Sequence, residues 1–212
     1  MTGAINPSLE DGMPSRAKFA GHPIHPMLVV FPLGLLGTAV IFDIICLMSD
    51  HSQWTVAAYY MIGAGVVGGF AAALLGWVDW VGIPSGTRAK RIGLWHGLTN
   101  VAVLALFILS WVLRRDNPAL PPTGAIVAGL SAVVLAVIAA WLGGEMVYRL
   151  GVGVDGGAHL DSPSSLSELP AGAGLSTARR SAMSWGYTGV ERRGSPARTY
   201  AGLDRRARAL AG

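Results

Sequence analysis

Charge is scarce in this sequence, and so are cysteine and the common catalytic signatures. Only 13% of the 212 residues are Asp, Glu, Lys or Arg, about half the share of an ordinary soluble domain. The single cysteine, Cys46, has no partner for an internal disulfide, which excludes a cross-linked secreted scaffold. No glycine-rich nucleotide loop, nucleophile elbow or His-Glu-x-x-His stretch is present. The chain therefore carries no mark of phosphate-binding, serine-hydrolase or zinc-protease chemistry.

What is present is apolar. Hydrophobic residues make up 52% of the chain, with 29 glycines. Four runs, at about 26–48, 55–81, 92–113 and 122–148, reach the roughly 20 residues that cross a bilayer. The first has no basic stretch directly before it and no small-residue cleavage site after it, so it reads as a retained span. Short connections favour antiparallel neighbours. The expected fold is all-α: a four-transmembrane-helix antiparallel bundle over residues 21–154, between a flexible leader (1–20) and a disordered tail (155–212). Pro32 removes a backbone donor early in the first span and predicts a kink there.

Positive residues in short loops set orientation. Arg16, Lys18, Arg88, Lys90, Arg91 and Arg149 fall on one side, and only Arg114 and Arg115 on the other. Both termini are therefore expected in the cytoplasm, with the lipid bilayer as the first partner. Trp54 and Trp111 would sit near the outer interface, and Trp77, Trp80 and Trp95 near the inner one. The small-residue spacings Gly65/Gly69, Gly68/Ala72, Ala72/Gly76 and Gly93/Gly97 read as helix packing alone.

Polar residues segregate on this topology. His22 and His25, each followed by proline, stand on a lead-in that the prolines push toward extended backbone. Asp79 ends the second span and needs a cation, for which Arg88 or Arg149 would serve, because a carboxylate there opposes the helix dipole. His96 and Asn100 share a helix face, and Glu145 and Arg149 have the favourable i,i+4 order. Asp43, inside the first span, is expected to hydrogen-bond near the outer interface.

Three readings follow for the inner cluster. In one, His96 and either His22 or His25 are axial ligands of a single b-type haem, in a redox subunit that exchanges electrons with a cytoplasmic partner. In another, His22, His25 and His96 with Asp79 or Glu145 hold a divalent metal ion. In the third, these groups with Asn100, Arg88, Tyr148 and Arg149 are a structural network. The tail adds a repeat, Tyr187-Thr-Gly189-Val-Glu191-Arg192-Arg193 and Tyr200-Ala-Gly202-Leu-Asp204-Arg205-Arg206. It suits either bivalent docking of a soluble partner or attraction to anionic lipid. The mixture of acids with few aromatics argues against nucleic acid.

The motifs His22-Pro-Ile-His25-Pro through Pro32, Asp79 with Ile83-Pro84-Ser-Gly86, His96 with Asn100, and Leu142-Gly143-Gly144-Glu145 through Tyr148-Arg149 and Gly151-Val-Gly153-Val154 occur in that order. Together they resemble the bacterial four-helix membrane family catalogued as domain of unknown function 2231, over roughly residues 20–155. The resemblance implies a bacterial inner-membrane protein without an established activity. Some relatives are joined to Rieske-type iron–sulfur domains, which implies redox or haem work. His22, His25, Asp79, His96, Asn100, Glu145 and Tyr148 match the family's recurrent polar positions. The resemblance also implies a histidine after the Tyr-Arg pair, where this chain has Leu150; were that histidine a ligand, this chain would be short of it.

Overall fold

A computed structural model describes residues 12–174. Within them two short strands, β1 (Lys18–Phe19) and β2 (His22–Pro23), precede five helices. These are α1 (Ile24–Leu28), α2 (Val30–Ser49), α3 (Gln53–Gly82), α4 (Arg88–Leu113) and α5 (Thr123–Gly144), the last running into a π-helical turn at Glu145–Arg149. Four apolar spans result: Ile24–Ser49, Gln53–Gly82, Arg88–Leu113 and Thr123–Arg149. Each is long enough to cross a membrane.

The first span is α1 and α2 joined at Val29, whose own φ of −61° and ψ of −21° stay helical. Pro32 has no N–H to give the Leu28 carbonyl, and the helix is interrupted there, as the sequence predicts. The bonds Val29 N–H to His25 O and Leu33 N–H to Val29 O carry the chain across the break. His25 departs from expectation. It lies inside α1 even though proline follows it, and only His22 is on extended backbone. Pro26 falls in the first turn, where no N–H is needed.

The bundle interior is built from stripes with alternating steps of three and four residues. On α3 the buried positions are Thr55, Ala58, Ile62, Gly65, Gly69 and Ala72. On α4 they include Val103, Phe107 and Ser110. On α2 they run through Pro32, Leu36, Ala39, Val40 and Asp43. A mean step of about 3.5 residues is the seam of a left-handed antiparallel bundle. Leu36, Ala39, Val40, Ala58, Ile62, Val103, Phe107 and Ala132 make the core. Large apolar side chains such as Leu33, Val67, Leu74 and Val134 point outward, 62–70% exposed, which suits lipid and not water.

Residues 12–23 form a strap tied to the end of the bundle where α1 starts and the fourth span ends. Met13 N–H donates to Gly151 O at 2.9 Å, and Gly153 N–H to Met13 O at 2.8 Å. β1 and β2 form a hairpin whose loop residues Ala20 and Gly21 both have positive φ, the requirement of a tight type I′ turn. The leader expected to be loose over 1–20 is therefore anchored from Gly12 onward. Lys18 also pairs with Asp155. Residues 157–174 form a separate unit of turns, held by bonds such as His159 Nε2 to Ala173 O. The two tail repeats, from Tyr187 to Arg206, lie outside the described residues.

Candidate functional site

Two histidines from diagonal parts of the bundle meet near the strap end. The ring centres of His25 on α1 and His96 on α4 are 6.4 Å apart, with their planes at 89°. His25 Nδ1 lies 2.8 Å from the Ala72 carbonyl oxygen on α3, and His96 Nδ1 lies 2.9 Å from that of Ala139 on α5. A carbonyl only accepts, so each Nδ1 carries a proton and donates. In the neutral ring Nε2 is then the nitrogen with the lone pair. That is the arrangement in which outer-shell carbonyls orient imidazole ligands.

Glycine makes the arrangement fit. A Cβ at Gly76 would stand 2.9 Å from His25 Cε1, and one at Gly143 would stand 3.1 Å from His96 Cε1. Both glycines continue the buried stripes of their helices, Gly76 four residues past Ala72 and Gly143 four past Ala139. The sequence marks Gly76 for helix packing alone and Gly143 only as part of a family motif; both turn out to make room for a histidine ring. The carbonyls of Ala72 and Ala139 were illegible for another reason, since every residue has one. Asn100, one turn beyond His96, donates from Nδ2 to the His96 carbonyl at 2.9 Å and approaches His96 Nε2 at 3.3 Å.

The other predicted ligands do not join the pair. His22 is exposed on β2. The Asp79 carboxylate takes no cation from Arg88 or Arg149. Instead it accepts from Ser15 Oγ at 2.7 and 2.8 Å, Arg16 N–H at 2.8 Å and Ala17 N–H at 3.2 Å. The strap's backbone reaches it first, and donor N–H groups relieve a carboxylate at a helix C-terminus. Glu145 pairs with Arg88 Nη2 at 2.6 Å and not with Arg149. Arg88 sits at the start of α4, where Thr87 caps the helix by accepting from Lys90 N–H at 3.1 Å. Tyr148 points outward, 87% exposed, and Arg149 is exposed. Among the described residues no three His, Cys, Asp or Glu side chains come together to hold a metal ion.

A second polar site occupies the far end, and it was missed. Asp43 and Arg114, 1% and 0% exposed, form a two-pronged ion pair at 2.8 and 3.0 Å. Arg114 Nη2 also donates to Ser110 Oγ at 2.9 Å, and that hydroxyl donates to Ala125 O at 2.6 Å. Nearby, Thr55 Oγ1 donates to Ala119 O at 3.1 Å. Arg114 is thus no interfacial loop charge, and Asp43 has a buried cation for its partner. The signal lay in helix phase: Val103, Phe107, Ser110 and Arg114 follow steps of four, three and four, which turns Arg114 inward and Arg115 out.

A family described as "predicted membrane protein (DUF2231)" has a model that matches residues 21–156, well over half of the chain. The chain belongs to the DUF2231 family. The match takes in all four spans, the His25–His96 pair and the Asp43–Arg114 pair. DUF2231 similarity begins at Gly21, so most of the strap and the tail repeats lie outside it. No curated protein and no solved structure matches the chain.

Proposed function

We propose that the protein is a membrane electron-transfer subunit binding one b-type haem between His25 and His96. The carrying observation is the pair itself: two imidazoles whose Nδ1–H groups are spent on carbonyls, with ring centres 6.4 Å apart. His25 and His96 would hold the haem. Haem would supply one-electron chemistry at iron. His25 and His96 would ligate through Nε2, the carbonyls of Ala72 and Ala139 would fix ring orientation, and Asn100 would keep its bond to the His96 carbonyl.

Positive residues support a cytoplasmic strap end in a bacterial inner membrane. With Arg114 buried in its ion pair, only Arg115 is left as an interfacial positive charge on the far side, which sharpens the bias of Arg16, Lys18, Arg88, Lys90, Arg91 and Arg149. The pair lies toward that end, within reach of a cytoplasmic redox partner. The divalent-metal alternative has less support, because His22, Asp79 and Glu145 stand apart from the pair. A docking role for the tail repeats is tested by pull-down. The tail with Arg192, Arg193, Arg205 and Arg206 changed to Ala should lose partners that the intact tail retains.

The deciding experiment is a reduced-minus-oxidised absorption spectrum of protein purified from haem-replete cells. A low-spin haem signal is expected, lost in His25→Ala and in His96→Ala and retained in His22→Ala. A folded, colourless preparation would overturn the haem reading.

A further inference from the structure

The second span ends in an organised column. Ala72, Gly76 and Asp79 occupy successive turns of one α3 stripe, in steps of four and three residues. The Ala72 carbonyl accepts a hydrogen bond from His25 Nδ1–H at 2.8 Å. Gly76 leaves room for the His25 ring, since a Cβ there would approach Nδ1 to 3.0 Å. Asp79, the next turn along, binds no part of His25. It gathers the hydroxyl of Ser15 and the N–H groups of Arg16 and Ala17.

The strap then turns back. Ala17 accepts from Ile24 N–H at 2.9 Å, and Ile24 is the first residue of α1, directly before His25. Between Ala17 and Ile24 the hairpin pairs Lys18 with Pro23 and Phe19 with His22. The path from Asp79 to His25 is therefore short: carboxylate, Ala17 backbone, Ile24 backbone, His25. α1 is only five residues long; its far end is continuous with α2 through Val29, but its start has no side-chain cap and depends on the strap.

We propose that Asp79 is a positioning residue for His25, acting through the Ser15–Ala17 strap that fixes where α1 begins. The haem reading supplies the consequence of this proposal, but the placement of the ring is a property of the protein alone. A carboxylate accepting several charge-assisted hydrogen bonds is a strong anchor. Removing it would free the strap and loosen the start of α1, leaving His25 placed by the Ala72 carbonyl and the join to α2 alone.

The test uses the full-length, cofactor-free protein in detergent, with two readouts. The first is trypsin cleavage after Arg16 and Lys18, which Asp79→Ala should accelerate by about tenfold or more as the strap opens. The second is the nitrogen NMR signature of 15N-histidine, with signals assigned through His25→Ala and His96→Ala. Asp79→Ala should move His25 from the fixed Nδ1–H form toward the tautomer mixture of a free imidazole, with His96 unchanged. Ser15→Ala, a milder lesion, should shift both readouts in the same direction, and Asp79→Glu should restore part of each. Where Asp79→Ala disturbs His96 as well, the fold has been lost and the Ser15→Ala result decides.

Unchanged cleavage would overturn the proposal, because Asp79 would then not hold the strap. Faster cleavage with an unchanged His25 signal would overturn it too, because the strap would not set the ring. Neither outcome touches the haem reading, whose failure appears only in the absorption spectrum.

Discussion

Arg114→Ala should destabilise the folded bundle by about 3–5 kcal/mol, the cost of leaving one member of a buried ion pair behind. The Asp43 carboxylate is 1% exposed and receives both prongs of the guanidinium. Once the arginine is gone, no water can replace those bonds without entering the bundle. Asp43→Ala should cost a similar amount, because the guanidinium would keep only Ser110 and the Ala125 carbonyl. The double replacement Asp43→Leu with Arg114→Met should be far milder than the sum, since an apolar pair of similar volume needs no partner. Unfolding of each variant in one detergent, followed by circular dichroism, measures this. Single variants within about 1 kcal/mol of the parent would show that the pair is solvated and not structural.

Gly76→Ala should also do damage, and at the histidine pair. Its new methyl would stand 2.9 Å from His25 Cε1 and 3.0 Å from Nδ1, both inside normal contact. The ring is held by its bond to Ala72 and has little freedom to yield. Overpacking of this kind costs about 1–3 kcal/mol, and here the cost falls on the imidazole. Gly143→Ala, at 3.1 Å from His96 Cε1, should act alike but more weakly. Gly97→Ala is the control, because a Cβ there meets no heavy atom within 4 Å. It should be neutral or gain about 0.5–1 kcal/mol from helix propensity. Thermal unfolding, read beside the 15N signature of His25, checks the contrast, and equal effects at positions 76 and 97 would refute it.

How legible each feature was depends on the kind of interaction behind it. The spans could be read because a bilayer demands long apolar runs, and a run is visible without knowing its neighbours. Their limits were less legible. The third span starts at Arg88 and not near residue 92, since Thr87 caps its helix and hydropathy registers charge rather than helix. The second begins at Gln53. Asp79 illustrates a partner no sequence reading reveals: its donors are two backbone N–H groups and a serine some sixty residues earlier. Arg114 was readable in principle, from its phase with Val103, Phe107 and Ser110, but loop charge and inward-facing charge look alike until phase is counted.

By itself, then, the sequence determined four membrane spans, the side on which positive charge gathers, and the small-residue spacings along the helices. All of these are local, because hydropathy and helical phase belong to one segment at a time. Tertiary structure alone decided that His25 and not His22 faces His96, that Glu145 takes Arg88, and that Asp43 takes Arg114. Those pairings depend on which helices lie beside one another at the same depth, and only packing sets that.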